Sequence, residues 1–206
     1  MRQSIFQEEK KIRKLGFKKV IGLDEAGRGP LAGPVVAAAV MVKTHKQKMF
    51  FPGINDSKKM NPKNREKIFK LLINHSNIKW GIGKVSERVI DKINILKATK
   101  LAMKRAIKNM KTKPDFLILD GNFKIDSDLP QKPIVKADEK VFSCMAAGII
   151  AKVVRDRIMK KYHRKFPLYG FDKHKGYPTK YHFSIINKNG ICKIHRKSFS
   201  LLKKNR

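Results

Sequence analysis

Four carboxylates carry the chemistry that can be read from this chain. Asp24 and Glu25 close an apolar run at residues 20–23, and Ala26-Gly27-Arg28-Gly29-Pro30 follows at once. Asp120 closes a second apolar run at 116–119, and Asp138 follows a third, shorter one at 133–135. If the three runs are neighbouring strands, their ends bring the four acids to one edge of a sheet. Carboxylates crowded in this way repel each other unless a cation lies among them. Two Mg²⁺ ions about 3.5–4 Å apart would neutralise them and clamp a scissile phosphate, one acidifying the attacking water and the other stabilising the leaving 3′-oxygen. The two glycines after the acid pair let a backbone come close to a ligand, so the whole stretch points to phosphate chemistry.

The remaining composition frames that reading. Only 16 residues of 206 are Asp or Glu, against 49 Lys and Arg, so each acid beside an apolar run asks for a reason. The formal net charge of +33 attracts polyanions, nucleic acid first among them, although a composition rich in Lys, Ile and Asn accounts for part of its size. Asp138 has an alternative reading as the N-cap of the helix that follows it. Asp156 lies on a helical pattern 18 residues further on, roughly 27 Å along a helix axis, so it is excluded from the cluster and expected to pair with a nearby arginine. Asp126 and Asp128 sit in a polar turn and read as solvated. His174, His182 and His195 have no Cys or His partner at zinc-finger spacing and read as surface or hydrogen-bonded histidines. There is no Walker loop and no G-x-G-x-x-G, so nucleotide hydrolysis is unsupported. Cys144 and Cys192 are far apart and read as reduced thiols of a cytoplasmic protein. The first ten residues hold no apolar h-region and no 18-residue apolar run occurs, so neither a signal peptide nor a membrane span is expected.

The elements that must position these groups follow from pattern. Residues 1–17 predict a short helix, 20–23 a strand, and 34–42 a long central strand, the two strands forming a hairpin with the acid pair at its turn. Asn61-Pro62 reads as an N-cap and first helical residue, opening a helix to about 73 with Ile68, Leu71 and Leu72 inward. Residues 79–85 alternate as a strand. Ser86 and Asn94 start a short and a longer helix, and Gly121 lets the chain turn away from Asp120. The longest helical pattern runs from Glu139 to about Tyr162, apolar all round from Met145 to Ala151, with Gly148 inside it at a cost of about 1 kcal/mol against Ala that close packing would explain. Residues 166–178 read as a loop, and Thr179 caps a last helix to Asn187, with Gly190 ending it. The expectation is one domain over 1–206. It comprises a mixed α/β sheet flanked by helices (about 18–165) and a C-terminal helical, substrate-binding segment (about 166–206).

These segments resemble the ribonuclease HII family. The resemblance is carried by Gly22-Leu23-Asp24-Glu25-Ala26-Gly27-Arg28-Gly29-Pro30-Leu31-Ala32-Gly33-Pro34, Asn55-Asp56-Ser57-Lys58-Lys59, Asp120-Gly121, Lys136-Ala137-Asp138, Arg155-Asp156-Arg157, His174-Lys175-Gly176-Tyr177-Pro178 and His195-Arg196-Lys197-Ser198-Phe199, in family order. It implies a ribonuclease H-like fold, cleavage of RNA in RNA–DNA hybrids, and nicking on the 5′ side of a single ribonucleotide in duplex DNA. It implies Asp24, Glu25, Asp120 and Asp138 as ligands of Mg²⁺ or Mn²⁺. It implies Gly27, Arg28 and Gly29 as sensors of the 2′-hydroxyl, Tyr177 beside the following sugar, and Asn55, Ser57, Lys58 and Arg196 as further substrate contacts. The chain departs from the family at Ala137, where glycine is usual, and at Gly148, where serine is usual; both bear on how Asp138 is presented. No clamp-binding peptide is visible in the tail, and a monomer is expected. Ribonuclease HIII resembles the same catalytic domain but carries an added N-terminal domain, whereas about twenty residues precede the first strand here.

Two other readings compete. A junction-cleaving or strand-transfer nuclease on the same fold would also use two metals, but Gly27-Arg28-Gly29 and Tyr177 argue against it. A basic binding protein with structural acids predicts binding without turnover.

Overall fold

The computed structural model describes residues 5–43, 54, 57 and 60–200. The chain runs α1 (Gln7–Lys14), β1 (Val20–Ala26), β2 (Val35–Val42), α2 (Pro62–Asn74), β3 (Ile78–Val85), α3 (Glu87–Lys108), β4 (Phe116–Asp120), β5 (Gln131–Ile134), α4 (Ala137–Lys140), α5 (Phe142–Lys165), a 3₁₀ turn (Pro167–Tyr169), α6 (Phe171–His174) and α7 (Lys180–Asn189). The five strands make one sheet in the order β3-β2-β1-β4-β5. The β1–β2 and β2–β3 pairs are antiparallel, and β1–β4 and β4–β5 are parallel, giving the expected mixed sheet and hairpin. The acid pair, however, lies within the β1–β2 ladder, Asp24 opposite Ala38 and Glu25 opposite Ala37, and not at the turn.

Alternation along β1 divides the core in two. Ile21 and Leu23 pack with Val35, Ala37, Ala39, Leu117 and Leu119 against α3. On the other face, Ala26 packs with Val36, Ala38 and Val40 against α2 and α5. Both central strands β1 and β2 are buried on both faces apart from the half-buried Glu25, which is why they read as continuous apolar runs.

α5 lies along β1 because of two glycines. A β-carbon on Gly22 would sit 2.4 Å from the Cys144 amide nitrogen, and one on Gly148 would sit 2.3 Å from Asp24 Oδ2. Two strand residues span about 6.6 Å and four helical residues about 6 Å, so the helix tracks the strand, meeting Gly22 near Cys144 and Asp24 at Gly148. The close packing expected for Gly148 is therefore against a carboxylate.

Several boundaries differ from expectation for local reasons. On α2 the buried stripe is Arg65, Ile68, Phe69 and Leu72, while Leu71 falls one residue outside it and is 44% exposed. Asn61 caps α2 as predicted, accepting from the Asn64 amide at 2.8 Å. Asn94 breaks α3 with φ +63° and caps its second half by accepting from the Lys97 amide at 3.0 Å. The predicted long helix is interrupted: α4 is a single turn, Val141 is extended, and α5 starts at Phe142. The predicted loop at 166–178 contains the 3₁₀ turn and α6. Thr179 caps α7 through the His182 amide. No helix among the described residues is long and apolar enough to cross a membrane.

Candidate active site

Parallel register brings the first two acids side by side. Gly22 pairs with Ile118 and Leu23 with Leu119, so one further step sets Asp24 beside Asp120. Both lie on the α5 face of the sheet, since Ile118, two residues before Asp120, packs there against Cys144. β5 pairs Ile134 with Asp120, after which Lys136 in the left-handed region (φ +58°) turns the chain into α4 and delivers Asp138. The Ala137 amide donates to Asp120 Oδ1 at 2.7 Å, tying that turn to β4.

The result is a group of three carboxylates, Asp24, Asp120 and Asp138, each offering an oxygen within 4.8 Å of the others. Asp24 and Asp138 are buried and Asp120 is half-buried. Burial pushes the Asp24 carboxyl well above its usual range, the neighbouring Glu25 and Asp120 push it further, and Asp138 adds to them, against a bond from the Glu25 amide to Asp24 Oδ1 at 2.6 Å. Crowded, desolvated acids of one sign are the donor set that suits a hard divalent cation with oxygen ligands.

Glu25 lies outside this group of three. The pleat turns its side chain to the other face of β1, where Arg28 Nη1 reaches Glu25 Oε1 at 3.3 Å. It remains close enough to perturb Asp24 more than Asp120 does. Asp156 is absent from the cluster, as expected, and pairs with Arg65 at 3.6 Å and Lys152 at 2.9 Å. Asp126 is an exposed partner of Lys104.

The glycine-arginine-glycine loop follows β1 directly. Gly27 has φ +101°, and its α-carbon rests on the Arg155 side chain, where a β-carbon would sit 2.1 Å from Nε. Arg28 and Gly29 are exposed, and the Arg28 guanidinium lies 5.6 Å from the centre of the Phe123 ring. Tyr177 is 39% exposed, with Lys152 Nζ 5.5 Å and Arg155 Cζ 5.9 Å from its ring centre. Ser57 is buried close to Gly148, and its carbonyl accepts from Arg65 Nε at 2.7 Å. Asn55 and Lys58 lie outside the described residues.

Arg196 corrects its expected role as a substrate contact. It is fully buried, and its three nitrogens donate to the carbonyls of Gly33 (2.9 Å), Arg28 (2.9 Å) and Gly27 (2.6 Å). Its reach is inward, under the loop. Arg155, also fully buried, is marked in the sequence only by its place in a motif; in the structure it lies against Gly27, with its nitrogens on the carbonyls of Ala32, Pro34 and Lys175.

Residues 21–202 match the model of the family described as ribonuclease HII. The chain belongs to the ribonuclease HII family. It is thereby an enzyme of the metal-dependent nuclease class. It is 53% identical over 192 residues to ribonuclease HII of Acetivibrio thermocellus, covering 93% of this chain and 73% of that one. It is 49% identical over 198 residues to ribonuclease HII of Chlamydia caviae, covering 96% and 91%. Among solved structures it is similar to ribonuclease H2 of Pyrococcus horikoshii (TM-score 0.70, 28% identity, covering 90% of this chain and 96% of that one). It is also similar to the ribonuclease HII of Archaeoglobus fulgidus, solved as a complex with PCNA (TM-score 0.73, 26% identity, covering 90% and 97%). The ribonuclease H-like architecture expected from the motifs is the one these neighbours share.

Proposed function

We propose that the protein is an endoribonuclease that hydrolyses the RNA strand of RNA–DNA hybrids and nicks duplex DNA on the 5′ side of a single embedded ribonucleotide, leaving 3′-hydroxyl and 5′-phosphate ends. The observation that carries this reading is the convergence of Asp24, Asp120 and Asp138 within 4.8 Å at the ends of adjacent parallel elements in a ribonuclease HII chain. Asp24, Asp120 and Asp138, with Glu25 beside them, would hold two divalent ions, Mg²⁺ or Mn²⁺. When bound, such ions neutralise the crowded acids, acidify a water and stabilise the leaving oxygen.

The rest of the task falls to the chain's own groups. Asp24 is held in place by the Glu25 amide and the wall of α5 at Gly148, and Asp120 by the Ala137 amide. The backbone of Gly27, Arg28 and Gly29 reads the 2′-hydroxyl, the one group that separates ribose from deoxyribose. Tyr177 presents an exposed ring to the next sugar, and Arg28 and Lys152 offer charge to the phosphates. Ser57, buried close to Gly148, is a further substrate contact in this reading, together with Asn55 and Lys58 of the same sequence motif.

The test is a labelled DNA duplex carrying one ribonucleotide, incubated with Mg²⁺, Mn²⁺ or EDTA beside an all-DNA control. One metal-dependent nick 5′ to the ribonucleotide is expected. Cleavage of the all-DNA control, or binding with no cut in either metal, would overturn the reading.

A further inference from the structure

Two fully buried guanidiniums lie together beneath the glycine-arginine-glycine loop. Arg196 donates to the carbonyls of Gly27, Arg28 and Gly33. Arg155 donates through Nε to Pro34 O, through Nη2 to Ala32 O and through Nη1 to Lys175 O, each at 3.0 Å. All six nitrogens are thus spent on backbone carbonyls. Among the described residues, neither arginine makes an ion pair within 4 Å.

This arrangement is a poor device for stability alone. Burying a cation is costly unless it is fully hydrogen-bonded, and apolar packing does the structural work as well or better. Here two like charges are buried side by side: burial lowers Arg155 to about 10, and burial with the neighbouring Arg155 lowers Arg196 to about 9. Both remain cationic at neutral pH.

The geometry shows what they do instead. A peptide unit is planar and trans, so its N–H points opposite to its C=O. Drawing the Gly27 carbonyl inward to Arg196 turns the Arg28 N–H outward. Drawing the Arg28 carbonyl inward turns the Gly29 N–H outward. Two consecutive amides of the exposed loop are therefore aimed away from the core by one side chain. Arg155 adds the second constraint. It supports Gly27 from below, and its bond to the Lys175 carbonyl holds the chain two residues before Tyr177. The Leu31 amide donates to Gly176 O and the Arg196 amide to Leu31 O, both at 2.8 Å, so the same segments are also stitched backbone to backbone.

We propose that Arg155 and Arg196 are positioning residues for ribonucleotide selection: together they aim the Arg28 and Gly29 amides and set the spacing between that loop and Tyr177. The inference rests on the reading above, that these two elements recognise the ribonucleotide. It assigns no role to either arginine at the carboxylates. Their charge also lies under the loop, where salt screens it weakly, and so favours an anionic phosphate on its outer face.

The experiment compares Arg196→Lys, Arg155→Lys and Arg196→Ala with wild type on two substrates, a duplex with one ribonucleotide and a continuous RNA–DNA hybrid. Lysine keeps the charge but not the fork of donors, so it leaves most of the carbonyls unanswered. The expected result is a loss of about 30-fold in kcat/KM on the single ribonucleotide, a clearly smaller loss on the hybrid, where neighbouring 2′-hydroxyls offer alternative registers, and an unchanged Mn²⁺ affinity by calorimetry. Low-millimolar guanidinium chloride, far below its denaturing range, should restore single-ribonucleotide nicking to Arg196→Ala, and sodium chloride should not. Equal losses on both substrates with no guanidinium rescue, or variants that keep wild-type selectivity, would overturn the inference while leaving the nuclease reading intact. Wild-type protein that nicks neither substrate would overturn both.

Discussion

One turn of α5 separates Gly148, which lies against the Asp24 carboxylate, from Lys152, whose ammonium is 5.5 Å from the centre of the Tyr177 ring. The two neighbouring regions are built in opposite ways. The carboxylate cluster stands on regular elements, the ends of β1 and β4 and the wall of α5, and its side chains repel one another. The edge that we propose reads the ribonucleotide is made of loops, 27–34 and 174–177, whose backbone is answered by buried side chains. Arg155 and Arg196 come from distant parts of the chain, and His182, itself in contact with His195, from five residues beyond Tyr177. The first region has a rigid frame and a frustrated charge. The second has satisfied polar groups and no regular frame. Chemistry that needs a cation suits the first, and discrimination by backbone amides suits the second.

The sharpest test of this contrast is Asp24→Asn. Loss of one carboxylate from a metal-holding set should lower cleavage by about 10³-fold or more, while affinity for the hybrid, carried by lysines and arginines, stays nearly unchanged in a binding assay. Stability should move the other way. The folded pKa of Asp24 is raised above its ordinary value of 3.8 by burial and by Glu25 and Asp120. The folded state therefore binds the proton more tightly than the unfolded state, and stability falls as pH rises from about 3.8 through the raised value. At neutral pH in EDTA the variant should melt a few degrees above wild type, and added Mn²⁺ should stabilise wild type more. A variant that melts lower than wild type in EDTA would show that the cluster is not frustrated.

Gly148→Ala tests whether the frame itself sets the chemistry. A β-carbon there would meet Asp24 Oδ2 at 2.3 Å, so the carboxylate or the helix must shift. Misplacement of a reacting group on this scale costs about 10²-fold in rate. Alanine regains about 1 kcal/mol of helix propensity, so the melting temperature should hold while kcat falls. Serine, usual in the family at this position, brings a hydroxyl that can donate to the displaced carboxylate and should cost less than alanine. Unchanged kcat in the alanine variant would mean that Asp24 has room to move without loss.

The difference in construction also explains what could be read beforehand. Asp24, Asp120 and Asp138 were legible because each follows an apolar run, and strand ends converge wherever strands are neighbours. Glu25 was legible with Asp24 as its neighbour, and the strand period of two accounts for its standing beside the group of three and not in it. The misplacement of Leu71 by one residue shows how narrow a helical stripe is. Asn94 and Thr179 were legible as caps because capping is local. Arg155 and Arg196 were not. In a chain with 49 basic residues, nothing local marks the two that turn inward, because their partners lie 20 to 169 positions away. His174, His182 and His195, expected as surface or hydrogen-bonded residues, are hydrogen-bonded, and the contact between His182 and His195 is equally non-local.

That histidine contact yields the smallest effect and the opposite sign. His182 is fully buried, with Nδ1 against the Tyr177 carbonyl at 3.0 Å and Nε2 against His195 Nε2 at 3.1 Å. His195 Nδ1 accepts from the Cys192 amide at 2.9 Å, so its proton belongs on Nε2 and is donated to His182, whose own proton goes to Tyr177. Both rings are neutral in this scheme, and a further proton on His182 Nε2 would face the proton it now accepts. Burial, with the stacked His174 beside it, lowers His182 to about 4, and burial lowers His174 and His195 as well. With folded pKa values below the ordinary 6.5, the unfolded state binds protons more readily. This contribution is therefore full above about 6.5 and is lost as pH falls toward about 4. His182→Asn keeps a donor for the Tyr177 carbonyl but removes the titrating ring. Wild type should lose several degrees of melting temperature relative to this variant between pH 6.5 and 4, and the gap in their melting curves should narrow steadily on acidification. Parallel curves across that window would mean that the histidine contact is not what fastens the Tyr177 loop to the C-terminal segment.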